Sequence, residues 1–299
     1  MKFTIDVPGD FSLWHTVYSH GWCSLQPFSV DTEKKIFGMC LDAGNGRITR
    51  INLTESKSKY IEIEIPPNGR LTAQNKKNIE RTVRSCLRLD EDYSTFYAEV
   101  KRYKQFAWAK KIGAGRLLRT PSVFEDVVKM ICTTNCSWGL TQAMVNNFCS
   151  KLGTKIDNGA NSFPLPEGIA GCTEKYIRKE IRAGYRSPYI LELSKRVARK
   201  EIDLESWRSS ELPSKELFEE VRSVKGMGPY AAANILKLVG RYDYLGIDSW
   251  CRKQFCEIHT KKKASDRSIE KYYEPFGKWK GLFFWLELTK PWYDKKFPL

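Results

Sequence analysis

The sequence predicts an α+β fold: a small N-terminal antiparallel β-sheet lobe with helices, followed by a mostly helical region. Apolar residues come in short, alternating runs before residue 66, and recur at helical spacing after residue 75. Helix caps and glycine stops then succeed one another along the rest of the chain. With 41% hydrophobic and 13% aromatic residues in 299, the chain has material for a sizeable core and is no disordered polymer.

Taken in order, Asp10 is placed to cap a short helix carrying Phe11, Trp14, Val17 and Tyr18 on one stripe, with Gly21 ending it. Strands are expected at 36–41 and 47–53, separated by the turn residues Ala43-Gly44-Asn45-Gly46. A third, 60–65, alternates and stops at Pro66-Pro67. After Asn75 the pattern becomes helical, with Ile79, Val83 and Leu87 four residues apart. Thr120 before Pro121 reads as an N-cap with proline in the first turn, leading into Phe124, Val127, Val128 and Ile131. A further helix over 137–152 is closed by Gly153. Ser187-Pro188 and Ser214 open two more, the first carrying Ile190, Leu193 and Val197. The clearest loop is 153–168, rich in Gly, Asn and Pro. The expected division is 1–105 for the α+β lobe and 106–299 for two helical subdomains.

Fifty Lys and Arg against 35 Asp and Glu leave a net charge of +15, which points to a polyanionic partner through counterion release. Basic proteins that bind no polyanion are common, so charge alone leaves the matter open. Nine scattered cysteines, an odd number, fit reduced buried thiols better than a disulfide framework. No apolar run has transmembrane length, and Asp6 precedes any secretory h-region. The expectation is an intracellular monomer without membrane contact, in the cytoplasm or nucleoid of a prokaryote or the nucleus of a eukaryote.

The most informative stretch is 221–240. A helix ends at Val224, Gly226 and Gly228 bracket Met227, and Pro229 opens a second helix whose Ala231-Ala232-Ala233 permits close approach. Exposed amides and a helix N-terminus make this a site for a backbone phosphate, the pattern of a helix-hairpin-helix element. An ordinary αα-hairpin with a glycine turn is the plain alternative. Asp248, in Gly246-Ile247-Asp248, follows Gly228 by 20 residues and starts the next helix.

On these residues the chain resembles the helix-hairpin-helix–GPD superfamily of DNA base-excision glycosylases. The resemblance extends to Gly115-Arg116-Leu117-Leu118-Arg119, Ile131-Cys132-Thr133-Thr134-Asn135, Phe163-Pro164, Ala170-Gly171, the 184–189 segment and Pro275-Phe276-Gly277-Lys278-Trp279, roughly residues 110 to 290. It implies that Asp248 is the catalytic carboxylate, against the alternative of a helix cap. It implies that Asn135 fills the gap left by a flipped base, against a helix C-cap. It also sets Trp285 where the flipped base is stacked, unless Trp285 is core. Tyr230, Trp250 and Trp138 are further pocket candidates. Lys225, Gly226, Met227, Gly228, Tyr230, Asn135 and Arg252 are the candidates for DNA contact.

Two departures refine the expectation. Bifunctional members carry a lysine two residues after the second hairpin glycine, where this chain has Tyr230, and a phenol cannot form an imine. Lys225 and Lys237 lie nearby; Lys225 is expected to face phosphate or solvent, and neither is favoured as a replacement. Cys256 is the last cysteine, which leaves no C-terminal iron–sulfur motif, and with only His15, His20 and His259 zinc is not expected. No cofactor is expected, and a monovalent cation at the hairpin is compatible with the turn.

The expected function is therefore a monofunctional DNA glycosylase acting on double-stranded DNA with a damaged base. The Phe11–Val17 region lacks the signature of 8-oxoguanine enzymes, which favours alkylated purines such as 3-methyladenine. The alternatives are a glycosylase for 8-oxoguanine, uracil or thymine mismatches, a non-catalytic hairpin protein, and an RNA-binding protein.

Overall fold

The computed structural model describes residues 1–56, 59–65, 71–156 and 159–294. The first lobe contains β1 (Lys2–Asp6), α1 (Leu13–Val17), a 3-10 turn at Gly21–Ser24, β2 (Ser29–Asp31), β3 (Ile36–Asp42), β4 (Ile48–Glu55) and β5 (Tyr60–Glu64). The strands form one antiparallel sheet in the order β1-β5-β4-β3-β2. Phe37, Met39, Leu41, Ile51, Leu53, Ile61 and Ile63 recur at alternate positions and share one buried face, and β3 is also covered on its other face at Gly38 and Cys40. Helix α2 (Ala73–Leu87) covers the shared face with Ile79 and Val83. It begins two residues before Asn75, because Thr72 and Asn75 form a reciprocal capping box. Asn75 also donates to the Ala43 carbonyl at 2.9 Å, tying the β3–β4 turn to the helix.

The three expected strands are present, while β1 and β2 are additions. The expected stop at Pro66-Pro67 lies outside the described residues. Asp10 is not the cap of α1: Ser12 accepts from the His15 amide, and Asp10 instead pairs with buried Arg116 at 3.1 Å. The helix is shorter than the expected stripe, and ends at Tyr18 rather than Gly21.

The helical part continues through α3 (Ser94–Val100), α4 (Ala107–Ile112), α5 (Val123–Thr133), α6 (Trp138–Leu152) and α7 (Pro166–Ala170). Then come α8 (Glu174–Lys179), α9 (Ser187–Ala198), α10 (Ser214–Ser223), α11 (Pro229–Leu238), α12 (Ser249–Ile258), α13 (Asp266–Tyr273) and α14 (Lys280–Asp294). Helix α6 is capped by Ser137 and stopped at Gly153 as its sequence predicts. Helix α5 is capped by Ser122 rather than Thr120, whose hydroxyl instead donates to the Ser122 carbonyl at 2.7 Å. The proline thus precedes the cap. The 153–168 loop carries a bridge between Lys155 and Asn161, and its last residues open α7; residues 157 and 158 lie outside the described set.

Two apolar cores organise these elements. One joins the sheet lobe to the middle helices from Val123 to Val239. The other joins Tyr93–Leu117 to the C-terminal helices, with Phe96, Phe106, Phe276 and Phe283 in a ring cluster. Residues 93–105, assigned to the first lobe by the expected boundary, pack in this second core. Among the described residues no helix is long and apolar enough to cross a membrane, and no group of three His, Cys, Asp or Glu is placed to hold a metal.

Candidate active site

The hairpin is built from α10 and α11. Val221, Val224 and Met227 are buried beneath the turn, and Ala231, Ala232 and Ala233 pack inward. Only Gly226 needs glycine for its backbone, at φ +90°, and an added Cβ would meet the Tyr189 ring at 3.1 Å. Gly228 caps α11 in an ordinary extended conformation and has open space beside it, which leaves the amides approachable. Of the proposed DNA contacts, Met227 is buried, at 4% exposure, beneath the turn. Lys225 is exposed but held by Glu192 at 2.8 Å, and Arg252 is bound by both oxygens of Asp266 at 2.6 and 2.8 Å.

A groove of about 690 Å³ runs along this surface, lined by Asn135, Tyr185, Tyr189, Gly226, Gly228, Ser249 and Arg252, among others. Asn135 is not the C-cap of α5, a place taken by Thr134. It follows it in the left-handed conformation at φ 47°, and donates to the Tyr185 hydroxyl at 3.4 Å. Tyr185 was not expected from the sequence.

Behind the groove is a cavity of about 480 Å³ whose lining includes Tyr230, Asp248, Trp250, Trp285 and Trp138, all five proposed from the sequence. Tyr230 and Asp248 border groove and cavity alike. Trp285 is anchored by its indole N–H to the Ser19 carbonyl at 2.8 Å and stands 6.1 Å from the Trp250 ring. Trp138, 36% exposed, donates to Ser24 at 3.2 Å at the edge of the N-terminal lobe. Trp22, Trp292, His20, Asn234 and Lys237 also line the cavity and were not proposed for it.

Asp248 is both a cap and a candidate catalyst. Its Oδ1 accepts from the Cys251 amide at 2.7 Å at the N-terminus of α12, where the helix dipole favours a negative charge. The same carboxylate borders the cavity, where the Tyr230 phenol faces it, so one side chain caps the helix and presents its charge to the cavity. Burial, and then the Asp248 carboxylate, push the Tyr230 phenol well above its ordinary range, so it stays protonated. Gly246 lets the incoming loop reach α11, since a Cβ there would fall 2.5 Å from Asn234 Nδ2.

Tyr230, Asn234, Lys237 and Leu238 fall at i, i+4, i+7 and i+8 on α11 and so share its cavity face. Burial lowers the Lys237 ammonium to about 8. The helix end that carries it is clamped: Arg88 Nη2 donates to the Lys237 and Leu238 carbonyls at 2.5 and 2.7 Å, and Arg119 also donates to Leu238. Across the cavity, His20 Nε2 donates to the Leu118 carbonyl at 2.7 Å, and burial drops the imidazole to about 3, so it is neutral.

A glycine hairpin, a carboxylate heading the following helix and an aromatic cavity behind it define the helix-hairpin-helix glycosylase fold, and this chain has that fold. A 3-methyladenine DNA glycosylase from Archaeoglobus fulgidus superposes with a TM-score of 0.77 at 18% identity, covering 97% of this chain and 99% of that one. An 8-oxoguanine glycosylase/lyase from Clostridium acetobutylicum gives 0.74 at 21% identity, covering 96% and 95%. By sequence, a probable N-glycosylase/DNA lyase of Methanothermobacter thermautotrophicus is 26% identical over 206 residues, 61% of this chain and 64% of that protein, just under two thirds of its length. No protein-family profile matches the chain.

Proposed function

We propose that the protein is a DNA glycosylase that draws a damaged base out of duplex DNA and hydrolyses its N-glycosidic bond, leaving an abasic site. The observation that carries this reading is the position of Asp248, on the shared border of the phosphate-facing groove and the aromatic cavity. A nucleotide whose phosphates follow the hairpin and whose base enters the cavity has its sugar beside that carboxylate. As the bond breaks, positive charge grows on the sugar. The carboxylate stabilises that charge and accepts the proton of the attacking water. Hydrolysis of this kind draws on no cofactor.

The absence of a lysine at position 230 supports hydrolysis without strand cleavage, because a protonated phenol offers no amine for an imine. Asn135, at the end of α5 on the groove, is the candidate for occupying the space of the extruded base. The backbone amides around Gly226 and Gly228 are the candidates for the phosphate contact, since Lys225 and Arg252 are engaged by Glu192 and Asp266. The tryptophan-rich walls support an alkylated purine selected by stacking, whereas Lys237 opposes a positively charged ring in the same cavity.

The test is single-turnover base release from duplexes bearing 3-methyladenine, 7-methylguanine, hypoxanthine, uracil or 8-oxoguanine, followed by hot alkali. At least one duplex should lose its base and break only after alkali. Release of no base would remove the glycosylase reading in favour of a non-catalytic DNA-binding protein.

A further inference from the structure

The cavity behind Asp248 holds a charge that hydrolysis at the sugar does not use. Lys237 is 3% exposed, and among the described residues its ammonium makes no hydrogen bond or ion pair. It stands 4.7 Å from the centre of the Trp285 ring. A buried ammonium without an acceptor is costly, and the clamp on the end of α11 holds the root of this side chain in place. The polar neighbours are occupied elsewhere: Trp22 Nε1 donates to Asp126 at 2.8 Å, Trp285 Nε1 to Ser19, and His20 to Leu118. Among the described residues lining the cavity, Lys237 is the one cation.

We propose that Lys237 determines substrate class: its ammonium binds a carbonyl oxygen on the edge of a neutral base between the aromatic walls, and holds the negative charge that reaches that base as the glycosidic bond breaks. This rests on the glycosylase reading. In the step, the C1′–N bond breaks and its electron pair leaves with the base. A water oxygen bonds to C1′, its proton passes to Asp248 and from there through solvent to the base anion, so the base leaves neutral and the carboxylate is restored. A neutral base therefore needs a counter-charge in the transition state, which the ammonium supplies. A 3-methyladenine or 7-methylguanine cation needs none, and meets a like charge in a poorly solvated site. The preferred substrates are thus neutral oxo-bases rather than alkylated purine cations.

The experiment compares wild type, Lys237→Met and Lys237→Arg on hypoxanthine, uracil and 8-oxoguanine duplexes against 7-methylguanine and 3-methyladenine duplexes. Binding to an abasic-analogue duplex serves as the folding control. Wild type should favour an oxo-base. Lys237→Met should slow its release about 100-fold, the scale for losing one charge-stabilising donor. Release of 7-methylguanine should rise once the like charge is gone, analogue binding should stay unchanged, and Lys237→Arg should recover part of the oxo-base loss. Among groups facing Lys237, Cys251 stays protonated to about 12, His20 stays neutral down to about 3, and Asp248 and Arg88 are shared by wild type and variant. Oxo-base release should therefore decline above pH about 8 in wild type, in step with the lysine, and not in Lys237→Met.

Equal losses on both base classes, or a wild type that releases only cationic purines, would overturn the assignment while leaving the glycosylase standing. A borohydride-trapped DNA adduct lost in Lys237→Met would overturn it by making Lys237 a nucleophile. Release of no base by wild type would remove both readings.

Discussion

Replacing Lys237 with methionine should stabilise the protein at neutral pH, and the gain should fade as the pH rises. Burial lowers this ammonium from 10.5 to about 8, which corresponds to about 3 kcal/mol of penalty for keeping it charged in the fold. Methionine has a similar length and carries no charge. It forfeits the contact with the Trp285 face, worth up to about 2 kcal/mol when desolvated, so the net gain is about 1–3 kcal/mol. The unfolded chain holds the lysine proton more tightly than the folded one. Wild-type stability therefore rises with pH between about 8 and 10.5, and below about 8 the full penalty applies. Urea unfolding of both proteins from pH 6 to 10, with equal m-values, measures the difference directly. A variant less stable at pH 7, or a difference that does not change with pH, would refute the reasoning. A more stable variant would also show that the lysine is kept for something other than folding.

The other predictions separate structure from chemistry at neighbouring positions. Asp248→Asn retains an oxygen for the Cys251 amide and should unfold within a few tenths of a kcal/mol of wild type. Asp248→Ala loses the cap and should cost about 1 kcal/mol in urea unfolding. Tyr230→Lys places an amine at the hairpin position that the resemblance assigns to strand-cleaving enzymes; borohydride should trap it on substrate DNA, whereas wild type should give no adduct. Arg88→Met removes the donor to Leu117, Lys237 and Leu238 carbonyls and should destabilise by about 3–5 kcal/mol, read by urea unfolding.

Local signals were the legible part of this chain. Ser137 and Gly153 bound α6 because a cap and a stop act within one turn, and the β3–β4 hairpin is written in its turn residues. Strand β1 escaped because its partner β5 lies some sixty residues away, and β2 because three residues give no period. Asp10 and Thr120 were displaced as caps by serines two residues on, a choice settled by Arg116 and by the path of the proline loop. In the site, Asp248 and Tyr230 were marked by spacing from the hairpin. The opposite wall, His20 and Trp22, is delivered by the first lobe and has no local pattern. Lys237 had a readable signal in its helical spacing from Tyr230, yet the resemblance raised it only as a stand-in for the missing hairpin lysine. Its burial follows from the packing of α11 against α5 and the Arg88 clamp.

The central claim is that Asp248 acts on the sugar of a base held in the cavity. Single-turnover base release by Asp248→Asn, alongside its affinity for an abasic-analogue duplex, tests that most directly. The account predicts affinity within about twofold of wild type and release slower by about 100-fold or more, with strands breaking only after alkali. Wild-type release by Asp248→Asn would contradict it.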